Sequence, residues 1–164
     1  MRRTWEGRAA VGAAATASVL ALAAAALAAT PKSGAWSGKT SQSLPVTFQV
    51  SRNGQQVLNF EAEFSGRCTK SGAPTVPSPD ITTDAGRTLT IAHGTFSTTA
   101  TNGKIHKGSK VYATASDKLS GRFTSSRTAR GTYSVTFTFN SGAPEGLAGY
   151  HCTTGTVTWT ATRG

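Results

Sequence analysis

Glu61 and Glu63 are the one close pair of carboxylates in this 164-residue chain, and paired carboxylates are the machinery of glycoside hydrolysis. Two positions apart on a strand, they share a face with alpha carbons about 7 Å apart. Retaining enzymes hold their two carboxyl groups ~5 to 5.5 Å apart. Sandwich hydrolases that place acids along one strand need a longer series than Asn59-Phe60-Glu61-Ala62-Glu63, where Asn59 stands in the first acid's place. An exposed acidic edge that balances nearby Lys and Arg is the plainer reading. Nucleophilic hydrolysis has less support, because no Gly-x-Ser-x-Gly occurs and His93, His106 and His151 have no acid partner close in sequence. Phosphate-binding loops and dinucleotide fingerprints are also missing. No catalytic residue is assigned and no cofactor is expected.

Charge points instead to binding. Lys104, His106, Lys107, Lys110, Lys118, Arg122, Arg127 and Arg130 crowd a segment whose only acid is Asp117. On adjacent hairpin strands, Lys104, Lys107, Lys110, Arg122, Arg127 and Arg130 are expected to line one solvent face and attract a polyanion, with affinity falling steeply as salt rises. Specific nucleic-acid recognition is not expected, since only Tyr112 and Phe123 are available for stacking there and Phe123 belongs to the core pattern. Sugar rings stack on exposed aromatics, and Tyr150, in a Gly-rich loop, and Trp36 are the candidates. Trp159 alternates with Val157 and Ala161 and reads as core. Flat threonine rows such as Thr156-x-Thr158-x-Thr160-x-Thr162 bind ice in some β-proteins, but Thr is also an ordinary choice for an exposed strand.

The N-terminus carries the pattern of a secretion signal over residues 1–28. Arg2, Arg3 and Arg8 supply the positive start, Ala9 to Leu27 is uncharged, and Ala26-Leu27-Ala28 fits the small-x-small cleavage pattern. General secretion fits better than the twin-arginine route, because Glu6 occupies a place where that motif prefers an apolar residue. An Ala-rich run is a weak membrane span, so no anchor is expected after cleavage. The remaining 29–164 segment is the size of one domain. Of 17 Lys and Arg, three lie in the signal, and of 7 Asp and Glu, one does, which leaves a net charge of +8. Such a charge favours anionic partners at or outside the cell surface, among them wall polymers and acidic polysaccharide. Cys68 and Cys152, alone and 84 positions apart, read as one disulfide in an oxidising exterior. Metal binding is disfavoured: His151 and Cys152, as neighbours on a strand, point to opposite faces, and no Cys-x-x-Cys exists.

These groups are carried by strands. Period-two alternation rich in Thr, Val, Phe, Tyr and Trp recurs, broken by turn residues about every ten positions. Val46, Phe48 and Val50 face one way, Asn53-Gly54 supplies a hairpin turn, and Leu58, Phe60, Ala62 and Phe64 share a face of the next strand. Pro74, Pro77 and Pro79 mark a loop expected to cross between sheets. Further strands are expected at 87–92, 95–99, 110–116, 119–125, 129–140 and 156–162. About nine strands with one polar face each predict an all-β, antiparallel two-sheet β-sandwich with Greek-key or jelly-roll connections; a small β-barrel is the alternative.

Trp36-Ser37-Gly38-Lys39-Thr40-Ser41-Gln42 followed by Val46-x-Phe48-x-Val50 resembles the opening of small, uncharacterised secreted β-sandwich proteins of actinobacterial type. So do Gly94-Thr95-Phe96-Ser97, Leu119-Ser120-Gly121-Arg122-Phe123, Ala129-Arg130-Gly131-Thr132 and the closing Cys152 to Ala161 phrase. The resemblance implies the sandwich and the pairing of Cys68 with Cys152, and it carries over no catalytic residue. The expectation is therefore a secreted, non-enzymatic module that binds an anionic or carbohydrate polymer. A small glycoside hydrolase using Glu61 and Glu63, or an accessory domain without a ligand, stands as the alternative.

Overall fold

The structure, a computed structural model, describes residues 29–78, 81–82, 87–107, 109–143 and 146–164. The expected signal, residues 1–28, lies outside them. Twelve strands and no helix occur among the described residues. They are β1 (Gly34–Thr40), β2 (Pro45–Val50), β3 (Gln56–Phe64), β4 (Arg67–Thr69), β5 (Val76–Pro77) and β6 (Ile81–Thr82) in the first half. The second half holds β7 (Leu89–Thr90), β8 (Thr95–Lys107), β9 (Lys110–Phe123), β10 (Thr128–Phe139), β11 (His151–Thr153) and β12 (Val157–Arg163). All pairings are antiparallel, and the main order runs β5-β4-β11-β10-β12-β1-β2-β3-β6, with β9 also on β10, β8 on β9 and β7 on β3. The sheet is not closed into a barrel, as the all-β, sandwich-like expectation required.

Its inner face is layered on one aromatic core. Phe60 of β3 meets Trp159 of β12 with ring centroids 5.3 Å apart, although β1 and β2 lie between those strands in the sheet. Phe48 of β2 likewise reaches Phe96 of β8 at 6.2 Å. Such contacts between strands distant in the order require the sheet to fold over on itself.

One inward row makes that folding possible. Cross-strand register places Phe96 opposite Gly121, Gly121 opposite Gly131, and Gly131 opposite Trp159. A Cβ on Gly121 would strike the Phe96 ring, and one on Gly131 would strike the Trp159 indole and the Ser120 carbonyl. The two aromatic rings therefore lie down over two bare backbone positions and approach each other to 6.0 Å.

Two local features depart from simple alternation. Gln49 pairs with Leu58 and Thr47 with Glu61, so Phe48 faces two residues of β3, and Asn59 takes a positive φ of 51° at this bulge. The extra residue shifts the parity: Val57 is buried where Leu58 was expected, while Phe60, Ala62 and Phe64 keep the inward face. The expected strands at 110–116 and 119–125 are instead one continuous β9, paired with a β8 that runs well beyond Thr99, and β1 forms where none was expected because its two glycines obscure the alternation. The Asn53-Gly54 turn forms as expected, with the Gly54 N–H donating to the Ser51 carbonyl at 2.9 Å.

Beyond Phe64 the chain crosses to the far side of the strand order, where β4 pairs with β11. Cys68 and Cys152 are direct cross-strand partners there and form the disulfide. The Gln42 side chain braces the crossing by donating to the Ser65 carbonyl at 2.8 Å and accepting from the Ser65 N–H at 3.0 Å. The Pro-rich segment crosses back, since β5 flanks β4 at one end of the order and β6 flanks β3 at the other.

Two outcomes follow from this packing. Gly121→Ala or Gly131→Ala costs about 2 to 3 kcal/mol by overpacking, and combining Gly121→Ala with Phe96→Leu loses less than the sum of the two; urea titration of the wild type and these four variants measures both. Reducing the disulfide releases a closed loop of 84 residues and costs about 4 to 5 kcal/mol on the chain-entropy account, a drop in Tm of roughly 10 °C or more by calorimetry.

Candidate functional site

Strand alternation gives β9 two different faces. Lys118, Ser120 and Arg122 point outward, whereas Asp117, Leu119, Gly121 and Phe123 are in phase with the core. On β10, Arg130, Thr132 and Ser134 share the outer side, and Tyr133, Val135, Phe137 and Phe139 the inner one.

The outer side carries a cationic row. Arg122 and Arg130 are direct cross-strand partners, Thr160 follows on β12, and Lys39 of β1 is Thr160's partner. Lys118 stands two residues from Ser120, one rung along, opposite Ser134 and Thr99. Around these cations the surface is hydroxyl-rich, with Ser120 and Thr132 joined at 2.8 Å. Of the carboxylates among the described residues, Glu61 and Glu63 share the outer side but stand on β3, two strands beyond Lys39, and Asp117 faces inward. The only ion pair among the described residues is that of Asp117 with Arg87.

The expected continuous patch from 104 to 130 is divided by the length of the hairpin. Lys107 pairs with Lys110 at its tip and Lys104 with Thr114 nearby, while Arg122 lies about a dozen residues from Lys110, roughly 40 Å along an extended strand. Arg127 sits in the β9–β10 turn, exposed, close to the Arg122–Arg130 end. Lys39 joins the row from the other half of the chain.

Neither expected stacking ring is exposed, and both are corrections. Trp36 is 1% exposed: its ring stacks on Phe48 at 5.5 Å, meets Phe123 edge-on at 5.2 Å, and its indole N–H donates to the Lys32 carbonyl. Tyr150 is 8% exposed because the β10–β11 pairing continues past Cys152. The Phe139 N–H donates to the Tyr150 carbonyl, which places Tyr150 on the same inner face as Cys152, and Lys70 covers the ring at 5.7 Å. Trp159 is buried as expected.

The inner face holds polar groups that alternation would have shown. Asp117 is in phase with Leu119 and Phe123, and its carboxylate accepts a bidentate pair from Arg87, Nη1 to Oδ2 at 2.8 Å and Nη2 to Oδ1 at 3.0 Å. The Asp117 side chain is 12% exposed and that of Arg87 37%. Tyr133, stacked on Phe64 at 4.1 Å, lies beside them. Burial raises its hydroxyl pKa well above the usual tyrosine range; the Asp117 charge adds to this and Arg87 opposes it. These groups border a cavity of about 370 Å³ between the β8–β9 hairpin and the β3–β6–β7 side.

Glu61 and Glu63 are exposed and do not border that cavity. The histidines do not come together: His93 occupies the β7–β8 turn with a positive φ of 49°, His106 lies near the hairpin tip, and His151 contacts the Thr138 hydroxyl on the outer side of β10–β11. Among the described residues no group of three His, Cys, Asp or Glu side chains is placed to hold a metal ion. Compared with protein-family models, with characterised proteins and with solved structures, the chain matches none.

Tyr133 makes stability depend on alkaline pH. The unfolded chain releases the tyrosine proton above its ordinary pKa of 10.0 while the folded chain retains it, so the stabilisation is complete below pH 10 and declines as pH rises further. The expected slope is about 1.4 kcal/mol per pH unit. Tyr133→Phe removes that slope in urea titrations between pH 9 and 11.

Proposed function

We propose that this chain is a secreted, non-enzymatic binding module that attaches to a linear anionic polymer at or outside the cell surface through the outer face of β9, β10, β12 and β1. The observation that carries this reading is the opposition of Arg122 and Arg130 on neighbouring strands without a carboxylate between them, extended by Lys39 and Lys118. Like charges placed directly opposite each other destabilise a sheet by a few tenths of a kcal/mol or more. Packing gains nothing from such a pair, whereas a polyanion lying across the strands gains from every member. The neighbouring hydroxyls add donors for phosphate, sulfate or sugar oxygens. The buried Cys68–Cys152 disulfide fits an oxidising exterior. Burial of Trp36 and Tyr150 leaves the charged polymer, rather than stacked sugar, as the favoured ligand class.

Binding to inorganic polyphosphate tests it. Three to four phosphate contacts give a slope of about −2 to −3 in log K against log salt, so a tenfold rise in salt weakens binding roughly 100- to 1,000-fold. Arg122→Ala with Arg130→Ala makes that slope shallower by about 1.4 and leaves the fold intact, read by titration and by Tm. Retention unchanged in the double variant overturns the assignment.

A further inference from the structure

The cationic row on the outer face is bordered on both sides by hydroxyls. On one side, Ser120 of β9, Thr132 of β10 and Thr158 of β12 are register partners in turn. On the other, Thr128 of β10, Thr162 of β12 and Ser37 of β1 form a second such row. Outward residues recur every second position, so each hydroxyl row runs roughly 7 Å from the row of cations. In these three rows, every outward residue taken from β9, β10, β12 and β1 is Ser, Thr, Lys or Arg. Among the described residues, none hydrogen-bonds to the side-chain hydroxyls of Thr158, Thr160, Thr162 or Ser37, which leaves them open to a ligand.

The cations are themselves spaced by hydroxyls. Arg122 and Arg130 face each other with alpha carbons about 5 Å apart, whereas Lys39 follows about 10 Å beyond Arg130 with Thr160 between them. Along β9, Ser120 separates Arg122 from Lys118. A bare polyphosphate carries charge at every unit and makes no use of the intervening hydroxyls. A chain in which phosphodiesters alternate with short polyols offers a partner to both kinds of group. Three carbons between phosphates give six backbone bonds per repeat, as in two peptide residues, so a repeat is roughly 7 Å when extended. With one phosphate held between Arg122 and Arg130, the next two fall on either side of Lys39, within reach of its long side chain, and the polyol hydroxyls meet the Ser and Thr rows.

The surroundings narrow the ligand further. These rows contain no aromatic side chain, so flat sugar faces find nothing to stack on and open-chain polyols lose nothing by comparison. Beyond β1 and β2, Glu61 of β3 is the partner of Thr47 and repels an anion, so the path ends near β1 and continues instead toward Thr95 and Ser97 of β8. Resting on the outer face as the attachment surface, we infer that its ligand is a poly(polyol phosphate), an open-chain polymer of hydroxylated units joined by phosphodiesters, lying across the strands from β9 to β1.

Three synthetic octamers test it by calorimetric titration of the intact protein at fixed salt: glycerol phosphate; 1,3-propanediol phosphate, which keeps the phosphate spacing and lacks the hydroxyl; and linear inorganic polyphosphate, which reports the cationic row alone. Glycerol phosphate is expected to bind about five- to tenfold more tightly than propanediol phosphate. Thr158→Val with Thr162→Val, exposed changes that suit a strand, brings those two chains to within about twofold of each other and leaves polyphosphate binding unchanged. Arg122→Ala with Arg130→Ala weakens all three chains together. Glycerol phosphate binding no tighter than propanediol phosphate, or keeping its full advantage in the Val variant, overturns this inference, while salt-sensitive polyphosphate binding still upholds the outer face as the attachment surface. Failure of all three chains to bind at millimolar concentration overturns both.

Discussion

The fold depends on two aromatic rings lying flat over two glycines. Phe96 and Trp159 come from strands separated by β9 and β10, and they meet only because Gly121 and Gly131 present no side chain between them. With any larger residue at either position the rings would stand up from the sheet, and the face of β9–β10 would be held away from β2 and β3. The glycines thus set how sharply the sheet turns, and the aromatic rings recover the burial that two missing side chains would have given. The sheet turns far enough to enclose Phe48, Phe60 and Trp36, but not far enough to join its edges.

An unclosed sheet has seams to hold, and the chain holds two of them by different means. At one end, the β3–β4 crossing is fixed by a covalent bond between register partners, Cys68 and Cys152, which are fully buried beside the inner face of β10. At the other, Arg87 reaches from the β7 side to Asp117 on β9 with a bidentate ion pair. A half-exposed ion pair is a weaker tie than a disulfide.

Much of this was legible in the alternation of residues, and the failures have physical causes. Val46, Phe48 and Val50, the run Tyr133 to Phe139, and the Asn53-Gly54 turn each follow from period two and turn chemistry. Leu58 did not, because a bulge at Asn59 shifts parity and no local composition announces it. The glycines before Tyr150 read as a loop, although its spacing of two from Cys152 puts both on one face. Proximity along the chain sets Asp117 against a basic segment, whereas its phase with Leu119 and Phe123 assigns it to the interior. Lys39 joined the cationic row through pairings that bring the two halves of the chain together, which no window of sequence displays.

Parity also explains how one strand serves two environments of different charge. The acid of β9 sits at an odd position with Leu119 and Phe123, and its cations Lys118 and Arg122 sit at even ones. Had the carboxylate been displaced by one residue, it would have stood on the outer face two residues from Lys118 or beside it, and would have offset a good part of the field there. Instead it is turned inward and paired with Arg87, so it takes no charge from Arg122 and Arg130 and is not left as an unpaired ion in the interior. The separation needs no long-range arrangement: a period of two, imposed by the pleat of a strand, sorts the charges before any partner is present.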